Sequence, residues 1–81
     1  MALRVLAFAR LRELLGFGER AVDLGSSAKL EDVWTSLTAT LPEAGRMRAS
    51  TRFARNGVIA DGTTRVADGD EIALLPPVGG G

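Results

Sequence analysis

The chain has 81 residues, 46% of them apolar, with ten acidic and ten basic side chains that cancel to a formal net charge of zero, and neither cysteine nor histidine. That length is one small domain that closes by packing and hydrogen bonding, without disulfides or an obvious zinc or iron site. Balanced charge argues against nucleic acid as a partner, and the missing thiol and imidazole remove the usual nucleophile and general base, so unaided catalysis is not expected.

Leu3 to Ala9 is apolar and short, and reads as a strand buried on much of both faces. Arg4 interrupts it and Glu13 follows soon after, which excludes a signal-peptide centre; no apolar stretch approaches the ~20 residues of a membrane helix. Neither a membrane nor nucleic acid is an expected partner, and the cysteine-free composition fits a cytoplasmic protein. Arg10 to Gly16 combines helix formers with apolar Leu11, Leu14 and Leu15 and closes on a glycine suited to the C′ position, predicting about two turns of helix. Glu19 to Leu24 alternates, as a strand with one wet face does.

The main helix is expected from about Ala28 to Leu41. Leu30, Val33, Trp34, Leu37 and Leu41 form one stripe, Ser27 is the candidate N-cap, Glu31 and Asp32 suit the first turn, and Pro42 sets the end. Trp34 lies on the stripe and reads as core. Glu43 to Ser50 has no clean period and is expected as an irregular or single-turn segment. Arg46, Arg48, Arg52 and Arg55 crowd one part of the chain, as either a solvated surface or an anion-facing patch.

Thr51 to Arg55 and Val58 to Ala60 flank Asn56-Gly57, a strong signal for a type I′ hairpin. Asp61-Gly62 turns again, and Asp68-Gly69-Asp70 leads into Glu71 to Leu75, a strand apolar enough to be central. The acids of that turn lack the spacing of a calcium loop, so no metal site is expected. The order is strand, short helix, strand, main helix and three strands: an α+β domain with one helix on one face of a small sheet. Leu75 is followed by Pro76-Pro77-Val78-Gly79-Gly80-Gly81. The prolines stop ladder pairing and the glycines leave bare backbone, a shape suited to a narrow channel; by composition alone the segment is equally a frayed end.

Four pieces together resemble a known family over nearly the full length: Val5-Leu6-Ala7-Phe8-Ala9-Arg10-Leu11-Arg12-Glu13-Leu14-Leu15-Gly16, Asn56-Gly57, Asp68-Gly69-Asp70-Glu71-Ile72-Ala73, and the terminal Pro76 to Gly81. The family is that of the ubiquitin-like β-grasp sulfur carriers, and the closest resemblance is to its molybdopterin-synthase branch. The resemblance implies a mixed sheet of about five strands with the first and last side by side and parallel, a domain over residues 1–75, and a flexible tail over 76–81. It also implies that the Gly81 carboxylate is adenylated, converted to a thiocarboxylate, and used to pass sulfur to cyclic pyranopterin monophosphate in molybdenum cofactor synthesis.

The tail residues Pro76, Pro77, Val78, Gly79 and Gly80 are then expected to thread into a partner, and Phe8, Arg12, Ile59, Leu74 and Leu75 to contact it. The expected partners are a large subunit of the MoaE type, in a heterotetramer, a MoeB-like adenylating enzyme that uses ATP and magnesium, and a sulfur donor such as a cysteine desulfurase or rhodanese. The chain itself is expected to bind no cofactor and to be no enzyme alone. Carriers for thiamine, tRNA thiolation or cysteine synthesis share the tail chemistry; the Arg10 to Gly16 helix favours the molybdopterin branch over the thiamine one. A binding-only β-grasp domain is the reading outside this class. Gly79 departs from the family's commoner non-glycine residue.

Overall fold

The computed structural model describes residues 1–77. Its elements in chain order are β1 (Ala2–Ala7), α1 (Ala9–Leu15), β2 (Glu19–Asp23), α2 (Leu30–Thr38), α3 (Pro42–Gly45), a single 3₁₀ turn (Arg48–Ser50), β3 (Arg52–Arg55), β4 (Val58–Ala60) and β5 (Glu71–Leu75). The strands form one sheet in the order β2-β1-β5-β3-β4, in which β1 and β5 are parallel and the other pairs antiparallel. The apolar last strand is therefore central, as its composition and the resemblance implied.

Side-chain parity puts Leu3, Val5 and Ala7 of β1, Phe53 of β3, and Ile72 and Leu74 of β5 on one face, where they are buried with Leu30, Val33 and Trp34 of α2 and with Leu11 of α1. Trp34 meets Phe53 with ring centroids 6.2 Å apart and planes tilted by 51°. That tilted contact ties α2 to the middle of the sheet. β1 is not buried on both faces, as the sequence suggested: burial strictly alternates, because only one face is roofed by helices and the other is open.

β1 also stops two residues early. Phe8 is extended and Ala9 turns to φ 49°, so these residues leave the strand and start α1. α1 ends as expected, with Gly16 at φ 84° and its N–H on the Arg12 carbonyl at 3.0 Å.

The main helix is shorter at both ends than the expected Ala28 to Leu41. Ser27 is exposed and is not the cap; the Lys29 N–H donates to Asp32 Oδ2 at 2.8 Å, so an acid one turn inside the helix satisfies its entry backbone instead. Ala28 is buried outside the helix, where its carbonyl accepts from the Val66 N–H at 3.1 Å. At the far end the helix finishes at Thr38, and Pro42 is the first residue of α3. A proline needs no N–H at a helix start, so Pro42 opens the next helix rather than closing the last one. Leu37 and Leu41 still pack against the core, half-buried.

Two polar clamps hold the connections. Arg48 bonds both carboxylate oxygens of Glu31, at 2.7 to 2.9 Å, while its guanidinium lies 4.3 Å over the Phe53 ring. Gly62 packs against this clamp: a Cβ there would collide with Glu31 Oε1 and come within 3.0 Å of Arg48 Nη2. Gly62→Ala is expected to destabilise the domain by about 1–3 kcal/mol, read as a lowered denaturant midpoint at constant slope.

The second clamp is Asp70, 6% exposed. It accepts from Arg55 Nε at 2.6 Å, Asn56 Nδ2 at 2.9 Å and the Ala67 N–H at 2.7 Å, joining the β3–β4 hairpin to the start of β5. Burial pushes its carboxyl pKa up, but the Arg55 and Asn56 bonds and the Ala67 N–H outweigh burial and hold it below the usual carboxylate value. A lowered folded pKa contributes stability that is present above the unfolded value of ~3.9 and disappears as pH falls through the folded one. Asp70→Asn should therefore be less stable than the natural chain at pH 7, with the gap closing in urea titrations as pH drops below about 4.

Candidate functional site

The hairpin turn forms as Asn56-Gly57 demands, with φ 49° and 83°. It returns β4 along the sheet edge and puts Ile59 opposite Ala54. Ala54 pairs with Ala73, and Ala73 with Leu6. Paired residues share a face, so Leu6, Ala73, Ala54 and Ile59 form one apolar row across four strands on the side without helices. Phe8, two residues beyond Leu6 in extended backbone, and Leu75, two beyond Ala73, continue that face toward the end where β5 leaves the sheet.

Phe8 is 45% and Ile59 56% exposed, both large apolar side chains facing water, and Leu75 is half-buried. The two small alanines between them make a shallow floor. An apolar face of this kind on a small domain marks a surface that another molecule covers.

Leu74 does not join it. It has no exposed surface and lies in the core against Phe53, because one residue of parity separates it from Leu75. Its expected place among the docking residues is withdrawn. Arg12 stands one turn into α1, its N–H on the Phe8 carbonyl at 3.2 Å, with its exposed side chain laid along Gly18. It thus flanks Phe8 on the side of β2, while Ile59 lies at the opposite edge.

Pro76 and Pro77 follow β5 directly and border a cavity of about 540 Å³ with Leu75, Arg52, Ser50 and Ala49. Val78, Gly79, Gly80 and Gly81, the remaining tail positions singled out in the sequence, lie outside the described residues. Arg52, noted in the sequence only as one of four clustered arginines, joins Pro76 and Pro77 at that cavity. It pairs with Leu75 across the ladder and so shares the open face at the root of the tail. The arginine cluster that contained it is not one patch: Arg48 and Arg55 are spent on Glu31 and Asp70, whereas Arg46 and Arg52 make no ion pair among the described residues.

The acids of the Asp68-Gly69-Asp70 turn are likewise occupied. Asp68 Oδ1 accepts the Ala2 N–H at 2.6 Å, and Gly69 sits at φ 85°. No group of three or more possible metal-ligating side chains occurs among the described residues, and no helix among them is long and apolar enough to cross a membrane.

A five-stranded mixed sheet with parallel first and last strands, a helix across one face and a chain end leaving beside an open apolar face defines a β-grasp domain of the ubiquitin-like class. The ThiS family profile matches residues 5–81, and the chain belongs to that family. It is 35% identical over 83 aligned positions to the molybdopterin synthase sulfur carrier subunit of Chlamydomonas reinhardtii, covering 100% of both chains. The Arabidopsis thaliana protein of the same name is 29% identical, over 98% of this chain and 82% of its own. Among solved structures, SAMP1 from Haloferax volcanii superposes with a TM-score of 0.85 at 31% identity, covering 100% of each chain.

Proposed function

We propose that this chain is the sulfur carrier subunit of a molybdopterin synthase. The observation that carries the reading is the placing of β5: parallel to β1 in the middle of the sheet, it sends Pro76 and Pro77 out beside Leu75 and next to the end of β1 where Phe8 stands, on the open face whose far edge holds Ile59. The full-length likeness to sulfur carrier subunits of that synthase supports it. In this reading the domain is a holder for one carboxylate and the large subunit covers the open face while the tail enters it.

The chemistry needs no catalytic side chain from this chain. A Gly81 carboxylate oxygen attacks the α-phosphate of ATP on a MoeB-like adenylating enzyme, which supplies the magnesium, and pyrophosphate leaves. The mixed anhydride is the better electrophile; the terminal sulfur of a persulfide on a desulfurase or rhodanese attacks its carbonyl carbon and AMP departs, giving an acyl disulfide, and a second thiol then attacks the donor's sulfur, forming a disulfide and releasing the thiocarboxylate. That sulfur then passes to cyclic pyranopterin monophosphate inside the large subunit. Gly79, Gly80 and Gly81 present no side chain to a narrow channel, and Pro76 and Pro77 lower the conformational entropy lost on entry.

Reconstitution tests the assignment. The thiocarboxylated chain, mixed with a MoaE-type large subunit and cyclic pyranopterin monophosphate, is expected to yield molybdopterin. Failure to bind such a subunit, with sulfur transfer instead to a thiazole or tRNA acceptor, would reassign the pathway.

A further inference from the structure

The two edges of the sheet are built differently. β2 carries Glu19, Arg20 and Asp23, charges that discourage another chain from pairing with it. β4, at the opposite edge, is Val58-Ile59-Ala60, with no charge inside it; Val58 is 68% and Ile59 56% exposed. Adjacent strand residues face opposite sides, so Val58 shares a side with Arg55 and not with the apolar row that contains Ile59. Docking on the open face alone covers Ile59 and does not reach Val58.

The ladder aims the backbone of β4. The Asn56 N–H donates to the Glu71 carbonyl at 2.8 Å, on the β5 side of β3. Backbone polar groups alternate in direction along a strand, so Asn56 and Ala54 turn theirs toward β5, while Arg55 and Phe53 turn theirs toward β4. The bonded residues of β4 are therefore their partners, Val58 and Ala60. Ile59, opposite Ala54, points its N–H and C=O outward, away from the sheet. A strand laid alongside gains both bonds and meets apolar side chains on both sides.

At the end of β4 a cavity of about 360 Å³ opens between Ile59, Ala60, Phe53, Arg48 and Arg52. Arg48 is held by Glu31, and Asp61, which also lines the cavity, turns its carboxylate to the Thr63 N–H at 2.9 Å. Arg52 makes no ion pair among the described residues, and its guanidinium is the charge an incoming group meets. The geometry points to β4 as a strand-addition edge: an extended segment of the large subunit pairs with the Ile59 backbone, packs apolar side chains on Val58 and Ile59 from the two sides, and sets a carboxylate against Arg52. This rests on the carrier reading above, in which the large subunit covers Ile59 and so already stands at this edge.

Calorimetric titration of the full chain with a MoaE-type large subunit, and amide hydrogen exchange of the chain alone and in the complex, test it. Val58→Lys puts a charge on the edge without touching the open face and should weaken binding at least tenfold, as should Arg52→Glu; Val58→Thr should change it less than twofold. All three should keep the denaturant midpoint of the natural chain. The Ile59 amide should exchange at least tenfold more slowly in the complex than in the chain alone. Val58→Lys or Arg52→Glu binding within twofold of the natural chain would overturn the proposal, as would an Ile59 amide that exchanges equally fast in both states. So would a dimer of the isolated chain in sedimentation that Val58→Lys dissociates, since a second copy would then occupy the edge. A natural chain that binds no such subunit would instead remove the carrier reading, and this inference with it.

Discussion

Deleting Gly80 and Gly81 is expected to abolish sulfur transfer altogether while leaving the thermal midpoint within about a degree of the full chain. The first half follows from the proposed chemistry: the group of this chain that would react is its terminal carboxylate, and with two residues removed that group stops short by about 7 Å of reach. No compensating side chain exists, since the sequence holds neither thiol nor imidazole. The second half follows from the fold: β5 ends at Leu75, and among the described residues the buried core runs no further than Leu74. Sulfur transfer to a large subunit and circular-dichroism melting, measured on the same preparation, read the two halves separately. Val78→Ala, which keeps length and terminus, should retain transfer.

Leu74 and Ile59 are expected to separate folding from docking. Leu74→Ala empties a fully buried site beside Phe53 and should cost about 2–5 kcal/mol. For a domain of this size that is a large share of the ~5–15 kcal/mol available, and each kcal/mol lowers the midpoint by about 4–8 °C. Ile59→Asp changes an edge residue already 56% exposed, so its stability should move by no more than about 0.5 kcal/mol. Once the large subunit covers that apolar face, however, a buried unpaired carboxylate should weaken its binding by at least about 2 kcal/mol, roughly thirtyfold in Kd. Calorimetric titration and denaturant unfolding of both variants check the crossing: Leu74→Ala hurts stability first, Ile59→Asp binding first.

That contrast also explains which parts of the molecule were legible before it was folded. A period of 3.6 gave α2 its stripe, the apolar run of Ile72 to Leu75 gave β5 its central place, and Asn56-Gly57 announced its own turn, because those signals are local. What failed was long-range or a matter of one residue. The Lys29 to Asp32 bond replaced Ser27 as the cap, and Pro42 opened α3, because proline and acidic residues are equally at home in either role. Leu74 and Leu75 are chemically identical, and only the register of β5 against β3 says which one faces the helix. Burial of β1 on one face alone followed from where the helices lie, which no stretch within β1 encodes. Which of the four clustered arginines stands beside the tail was hidden for the same reason: the neighbour of Arg52 in space is Leu75, 23 positions away in sequence.

The family, and with it the expectation for the tail, came from the combination of the Val5 to Gly16 segment with Pro76 to Gly81 rather than from either alone. The fold then gives that combination a physical sense. β1 and β5 are hydrogen-bonded neighbours, so Phe8 at the end of one and Pro76 at the end of the other emerge side by side, in the proposed reading one as docking surface and the other as the root of the reactive arm.

Intact-mass analysis of the chain before and after incubation with ATP, a MoeB-like adenylating enzyme and a sulfur donor tests this account most directly. It predicts exchange of one oxygen for one sulfur, located by fragmentation at Gly81 and absent when ATP is omitted. An unchanged mass, or the same exchange in a chain lacking Gly80 and Gly81, would contradict it.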